Sequence, residues 1–143
     1  MQSEIKVKQI NELETLAQTL LDKLGKTNCM ALYGNLGAGK TSLAGQIAKR
    51  LGIKRPVNSP TFVIMKEYDT QDRKFKKLVH IDAYRLSSTD DIKAFNLQDI
   101  LNDKSNLVLI EWPERFKSDL PSDCLEVYID IVSDDERIFR IKY

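Results

Sequence analysis

An α/β fold in three layers, with a mostly parallel central sheet and antiparallel hairpins, is predicted by three features of the sequence. A continuous apolar run, Cys29-Met30-Ala31-Leu32-Tyr33, leads through a glycine-rich loop into a helical stretch, Ser42 to Leu51, closed by Gly52. A second run, NLVLI at 106–110, has polar residues before it and Glu111-Trp112-Pro113 after it. The final segment alternates instead: Leu125, Val127, Ile129 and Ile131 share one face, and Ser133 to Glu136 turns the chain back into Ile138 to Tyr143. Continuous apolar runs suit parallel strands covered on both faces, whereas alternation suits an antiparallel strand with one wet face.

The other elements follow from local signals. Residues 4–8 read as a short edge strand, and Asn11 as the cap of a helix whose stripe is Leu13, Leu16, Ala17, Leu20, Leu21 and Leu24, ended by Gly25. Pro56 to Pro60 is a connector rich in turn formers. Thr61 to Tyr68 and Lys77 to Ile81 are strands, joined as a hairpin by the polar turn Asp69 to Lys74. Ser87 and Ser88 offer a cap to a helical stretch over Asp90 to Phe95, and a further helical turn runs from Leu97 to Leu101.

At 143 residues the sequence has the length of one domain, taken as 1–143. Its 22 Lys and Arg balance 21 Asp and Glu, which argues against a strongly basic nucleic-acid binder and makes direct RNA contact a poor default. Cys29 and Cys124 both fall in apolar runs and read as buried free thiols. The N-terminus is too polar for a signal peptide and no apolar run reaches the roughly 18 residues of a membrane span. A reducing cytoplasm fits these features.

Residues 34–41, GNLGAGKT, match the phosphate-binding pattern of Gly, four residues, then Gly-Lys-Ser/Thr. The strand before and the helix after are the context that this loop requires, so the fold is read as P-loop NTPase-like. Glycines let successive amide N–H groups turn toward one phosphate, and the following helix directs its positive end there. Lys40 would then reach the β- and γ-phosphates of a nucleotide such as ATP, and the Thr41 hydroxyl would bind Mg²⁺.

A phosphate-bound Mg²⁺ also needs a carboxylate near a core strand end. Asp82 follows KLVHI and Glu111 follows NLVLI, the position at which open α/β sheets bind ligands. Glu111 is the expected metal ligand. Asp82 either orients or deprotonates the water that attacks the γ-phosphate, or holds a metal-bound water. The bland alternative is that one of them caps a helix or pairs with Arg85 or Arg115. His80, the only histidine, reads as a packed, hydrogen-bonded strand residue, and Trp112 either packs or lines the nucleotide pocket.

Four segments in this order resemble one family: GNLGAGKTS, Ser59-Pro60-Thr61-Phe62, His80-Ile81-Asp82-Ala83-Tyr84-Arg85-Leu86, and Glu111-Trp112-Pro113-Glu114-Arg115. Together they are similar to the TsaE (YjeE) family of small bacterial P-loop ATPases, over nearly the whole chain. The resemblance implies a part in forming threonylcarbamoyladenosine at position 37 of tRNAs reading codons that begin with A. It implies TsaB and TsaD as partners that carry out the transfer, tRNA met only through that complex, and ATP hydrolysis that supports repeated turnover.

Carried onto this chain, Gly37, Ala38, Gly39, Lys40, Thr41 and Ser42 would hold the ATP phosphates, with Trp112 beside the nucleotide. Thr41 and Glu111 would bind Mg²⁺, Asp82 with Lys40 would be catalytic, and residues 59–62, with Thr61 as their polar member, would form a switch-like loop near the γ-phosphate. Asn35 stands where the family commonly has aspartate, at a variable position of the loop, and the final hairpin ends somewhat early at Tyr143.

Other nucleotide chemistries fit less well. A small-molecule P-loop kinase is the nearest alternative, but it needs an acceptor pocket and usually an arginine-bearing lid insertion, for which no segment is evident. A GTPase lacks its Asn-Lys-x-Asp guanine-reading segment here. A nucleotide-binding module without catalysis differs from an ATPase only in what Asp82 does.

Overall fold

The structure, a computed structural model, describes residues 2–35, 37–57, 65–84 and 96–143. Among these residues, the strands β1 (Gln2–Val7), β2 (Cys29–Tyr33), β3 (Met65–Asp69), β4 (Lys77–Asp82), β5 (Asn106–Glu111), β6 (Leu125–Ser133) and β7 (Glu136–Lys142) form one mixed sheet, ordered β1-β7-β6-β2-β5-β4-β3. Helices α1 (Ile10–Lys23), α2 (Lys40–Arg50) and α3 (Leu97–Asn102) and a 3-10 segment (Pro113–Asp119) accompany it.

The four central strands β6, β2, β5 and β4 are mutually parallel. The margins are antiparallel, β3 on β4 at one side and β7 on β6, then β1 on β7, at the other. The sheet therefore has the parallel centre and antiparallel hairpins expected, but its pairings are evenly divided between the two kinds, so the expectation of a mostly parallel sheet holds only in part. Short turns join β3 to β4 and β6 to β7, and a short turn can return a strand only antiparallel, since a parallel partner needs a crossover of a dozen or more residues.

Alternate residues of the buried strands face opposite sides, and each side has its own apolar cluster. Met30, Leu32, Leu107 and Leu109 pack with Leu16 and Leu20 of α1 and Leu43 and Ile47 of α2. Ala31, Val79, Ile81, Val108 and Ile110 pack on the other face with Leu97 and Leu101 of α3. Both runs read as doubly covered strands, CMALY and NLVLI, lie at the sheet's centre with both faces buried.

Several boundaries differ from expectation. Helix α1 begins before Asn11, with Gln9 as its N-cap. Glu12 lies in the first turn, and its carboxylate accepts a hydrogen bond from the Lys8 amide at 3.4 Å, one residue before the N-cap. Leu13, Leu16, Ala17, Leu20 and Leu24 are buried as the stripe requires, and Gly25 follows with φ of 59°. Strands β4 and β5 each run one residue further than their apolar runs, to include Asp82 and Glu111. The start of the strand expected from Thr61, the 59–62 segment, Arg85 and the helix over 90–95 lie outside the described residues.

Cys29 and Cys124 are buried free thiols, as expected, with sulfurs 2.8 Å apart. The contact with Cys29 and burial push the Cys124 thiol well above its usual range. Asn28 anchors the entry to β2: its Nδ2 donates to the carbonyls of Leu101 and Asn106, each at 3.0 Å, from a side chain that is almost wholly buried. This one amide ties the end of α3 and the start of β5 to the strand that leads into the loop. Asn28→Ala should destabilise the fold by about 1–3 kcal/mol, the cost of leaving buried carbonyls unpaired, read as a lower urea midpoint with an unchanged slope; an unchanged midpoint contradicts this anchoring.

Candidate active site

Strand register assembles the site. Asp82 lies opposite Glu111 across the β4–β5 pair, and Glu111 lies opposite Leu32 across the β5–β2 pair. Both carboxylates therefore stand at the same ends of neighbouring parallel strands, where β2 runs into the glycine-rich loop. Side-chain alternation puts Asp82 and Glu111 on the face that carries Leu78, Leu107 and Leu109, which is the face packed by α2.

Loop backbone follows from the glycines. Gly37 has φ of 79° and Gly39, the residue capping α2, has φ of 108°, conformations that side chains with a Cβ rarely adopt. A Cβ built at either would meet no atom within 4 Å, so the space beside them is open. The first α2 bond runs from the Leu43 amide to the Gly39 carbonyl at 3.0 Å, and the preceding first-turn amides have no intrahelical acceptor. Ala38 is buried, Gly39 and Thr41 are half-buried, and Gly37 and Ser42 are exposed. Open space, first-turn amides and a helix N-terminus together suit an anionic phosphate.

Lys40 is buried, 5% exposed. Its ammonium donates to the Gly34 carbonyl and lies 4.0 Å from the centre of the Trp112 ring, a cation–π distance. Burial holds the Lys40 ammonium below the usual lysine range, while the negative charges of Glu111, Asp82 and Glu114 act in the opposite direction. Asp82 and Glu111 are themselves 5% and 2% exposed. Asp82 Oδ1 accepts from the Tyr84 amide at 2.9 Å, and Glu111 Oε2 lies 2.6 Å from His80 Nε2.

Trp112 follows Glu111 with φ of 58° and packs against Tyr84, ring centres 4.9 Å apart. It is half-buried, so packing and lining the site are both part of its placement, at the lysine. On the opposite flank of the loop, a cleft of about 200 Å³ is lined by Ala38, Gly39 and Ser42, by Gln9 and Leu13 at the start of α1, and by Asp134, Asp135 and Arg137. Trp112 and Lys40 do not line it.

Hard oxygen donors are also present at this end of the sheet. A hydroxyl at the second residue of α2 and two buried carboxylates at strand ends form a set that fits Mg²⁺, which binds through one or two carboxylates together with substrate phosphates. Among the described residues, no three His, Cys, Asp or Glu side chains form a metal-holding group by themselves.

A family model described as "Threonylcarbamoyl adenosine biosynthesis protein TsaE" matches residues 7–139. The chain belongs to the TsaE family. A TsaE protein of Rickettsia felis is 35% identical over 92% of this chain and 75% of its own length, and one of Aquifex aeolicus is 34% identical over 88% and 85%. Both are named tRNA threonylcarbamoyladenosine biosynthesis proteins. The crystal structure of YdiB from Bacillus subtilis superposes with a TM-score of 0.78 at 28% identity, covering 99% of this chain and 84% of that one.

Two contacts in this TsaE chain escaped the sequence reading. His80 bonds Glu111, a link for which the spacing His80-x-Asp82 is the only sequence signal, since it puts both side chains on one face of β4. Arg137 Nε donates to the Ala38 carbonyl at 3.2 Å, tying the loop to β7 across 99 residues, and no local pattern announces it. Arg85 and the 59–62 segment lie outside the described residues, as does the Arg115 side chain.

Trp112 is the only tryptophan, so its emission reports this site alone. If the Lys40 ammonium turns from the indole face to a phosphate, adding ATP with Mg²⁺ should change the intensity or maximum of that emission in a saturable titration. Saturable nucleotide binding with no change in emission would contradict the described Lys40–Trp112 contact.

Proposed function

We propose that this TsaE-family chain is an ATP-binding, Mg²⁺-dependent ATPase subunit required to form the threonylcarbamoyl group on adenosine 37 of tRNA. In this reading residues 1–143 are one P-loop NTPase-like domain, a three-layer sandwich. It works in the cytoplasm with TsaB and TsaD and meets tRNA only through them. No helix among the described residues is long and apolar enough to cross a membrane.

One observation carries the ATPase reading: a buried lysine at the mouth of a glycine-rich loop, with the charges of two buried carboxylates acting on it. Burying charged groups is costly unless other charges compensate them. A triphosphate would add negative charge beside Lys40, and a divalent cation positive charge beside the carboxylates. The names of the relatives carry the tRNA reading.

Each residue then has a role set by its atoms. The amides at Gly37 to Ser42 bind the phosphates, and Lys40 donates to the β- and γ-phosphate oxygens after leaving Gly34 and Trp112. Thr41 and Glu111 hold Mg²⁺, which when bound neutralises charge that develops on the phosphates. Asp82, its Oδ1 already held by the Tyr84 amide, orients or deprotonates the attacking water. The cleft flanked by Gly39 and Ser42 takes the nucleoside end, with the start of α1 against the base.

Hydrolysis is slow in the isolated chain and rises when TsaB and TsaD are added. Asp82→Asn should lower phosphate release by roughly 100-fold or more, the usual contribution of a general base, with ATP binding retained. Phosphate release that is unchanged by this substitution removes Asp82 from the chemistry, and release that requires a small-molecule acceptor replaces the ATPase with a kinase.

A further inference from the structure

His80 sits on β4, between the edge strand β3 and the buried strand β5, and is completely buried. Along its own face it follows Leu78 and precedes Asp82, and across the β4–β5 pair it lies opposite Leu109. An apolar side chain would fill such a position at no polar cost, as Leu78 and Leu109 do. An imidazole instead brings two nitrogens into a place where, among the described residues, Nδ1 has no hydrogen-bond partner. Leaving a buried polar atom unpaired is costly, so packing alone does not account for the residue.

Its other nitrogen has a single well-defined role. Nε2 lies 2.6 Å from Glu111 Oε2, diagonally across the two parallel strands, in a spot that is closed to solvent on both sides. A proton on Nδ1 would face no acceptor among the described residues, whereas a proton on Nε2 points into a carboxylate. The tautomer that fits the site therefore carries its proton on Nε2 and donates it to Glu111.

Consequences for the carboxylate are geometric. A glutamate has three side-chain torsions, and a free one samples several of them. With Oε2 fixed by a donor anchored in the middle of a sheet, Glu111 is held in one rotamer, and Oε1 is left to meet a cation. Carboxylates that bind metals are themselves held by hydrogen bonds, and loss of such a supporting partner typically lowers metal affinity 10- to 100-fold.

We propose that His80 is a positioning residue, whose Nε2–H fixes the Glu111 carboxylate for the Mg²⁺ that accompanies the nucleotide. The proposal rests on the nucleotide and Mg²⁺ reading above and assigns this strand histidine a part in it. The role acts through Glu111 and requires no contact between His80 and the nucleotide.

Calorimetric titration of ADP, with Mg²⁺ and in excess chelator, tests it on three proteins: unsubstituted, His80→Leu and His80→Gln. His80→Leu keeps the volume and removes the donor, while His80→Gln returns an N–H close to the position of Nε2. The expected result is chelator-measured ADP affinity that is the same in all three. The gain on adding Mg²⁺ should fall 10- to 100-fold in His80→Leu and return to within about threefold of the original in His80→Gln.

The same Mg²⁺ gain in His80→Leu as in the unsubstituted protein overturns the positioning role alone. No ADP binding by the unsubstituted protein overturns the nucleotide reading beneath it as well. Should His80→Leu fail to fold, nitrogen-15 NMR of the unsubstituted protein decides, because its one histidine gives one imidazole signal set. A proton on Nε2 supports the role, and a proton on Nδ1 overturns it.

Discussion

Parallel register between β2, β5 and β4 is the constraint on which the site depends. It sets Asp82 against Glu111 and Glu111 against Leu32, one residue from the end of β2 and two from the glycine at which the loop starts. Because side chains alternate along a strand, a slip of one residue in β4 or β5 would turn that strand's carboxylate to the face packed by α3. Close packing resists such a slip, since every buried residue would change sides with the carboxylate and meet differently shaped neighbours. Core packing and site geometry are thus one condition.

Electrostatics adds a second condition. Lys40, Asp82 and Glu111 are all buried near the loop, at a cost that the attraction of the lysine to the two carboxylates offsets in part. A described contact holds each side chain: Gly34 and Trp112 hold Lys40, the Tyr84 amide holds Asp82 through Oδ1, and His80 holds Glu111 through Oε2. Each of the three charges is thus already oriented by the protein itself.

Much of this was legible in the sequence because it is written in short-range patterns. The loop at 34–41 carries its own spacing, the runs CMALY and NLVLI announce doubly covered strands, and α1 shows its stripe from Leu13 to Leu24. The candidate carboxylates were legible for the same reason, as the first acidic residues after apolar runs. What was not legible is long-range. The pairing of β1 with β7, the even division between parallel and antiparallel pairs and the Arg137 bond to Ala38 depend on residues distant in sequence. His80 is packed and hydrogen-bonded as a lone histidine in an apolar strand is expected to be, but only the β4–β5 register reveals that its partner is Glu111. The cleft beside Gly39 joins three separate segments and could not be drawn from any one of them.

Membership of the TsaE family gives the chain its biological setting, and the buried lysine with its two carboxylates gives that setting a physical basis. The most direct test is calorimetric titration of ATP with Mg²⁺ into the unsubstituted protein and into Lys40→Met. The account predicts saturable, one-to-one binding to the first and none to the second. No heat from the unsubstituted protein, or equal binding by Lys40→Met, would contradict it.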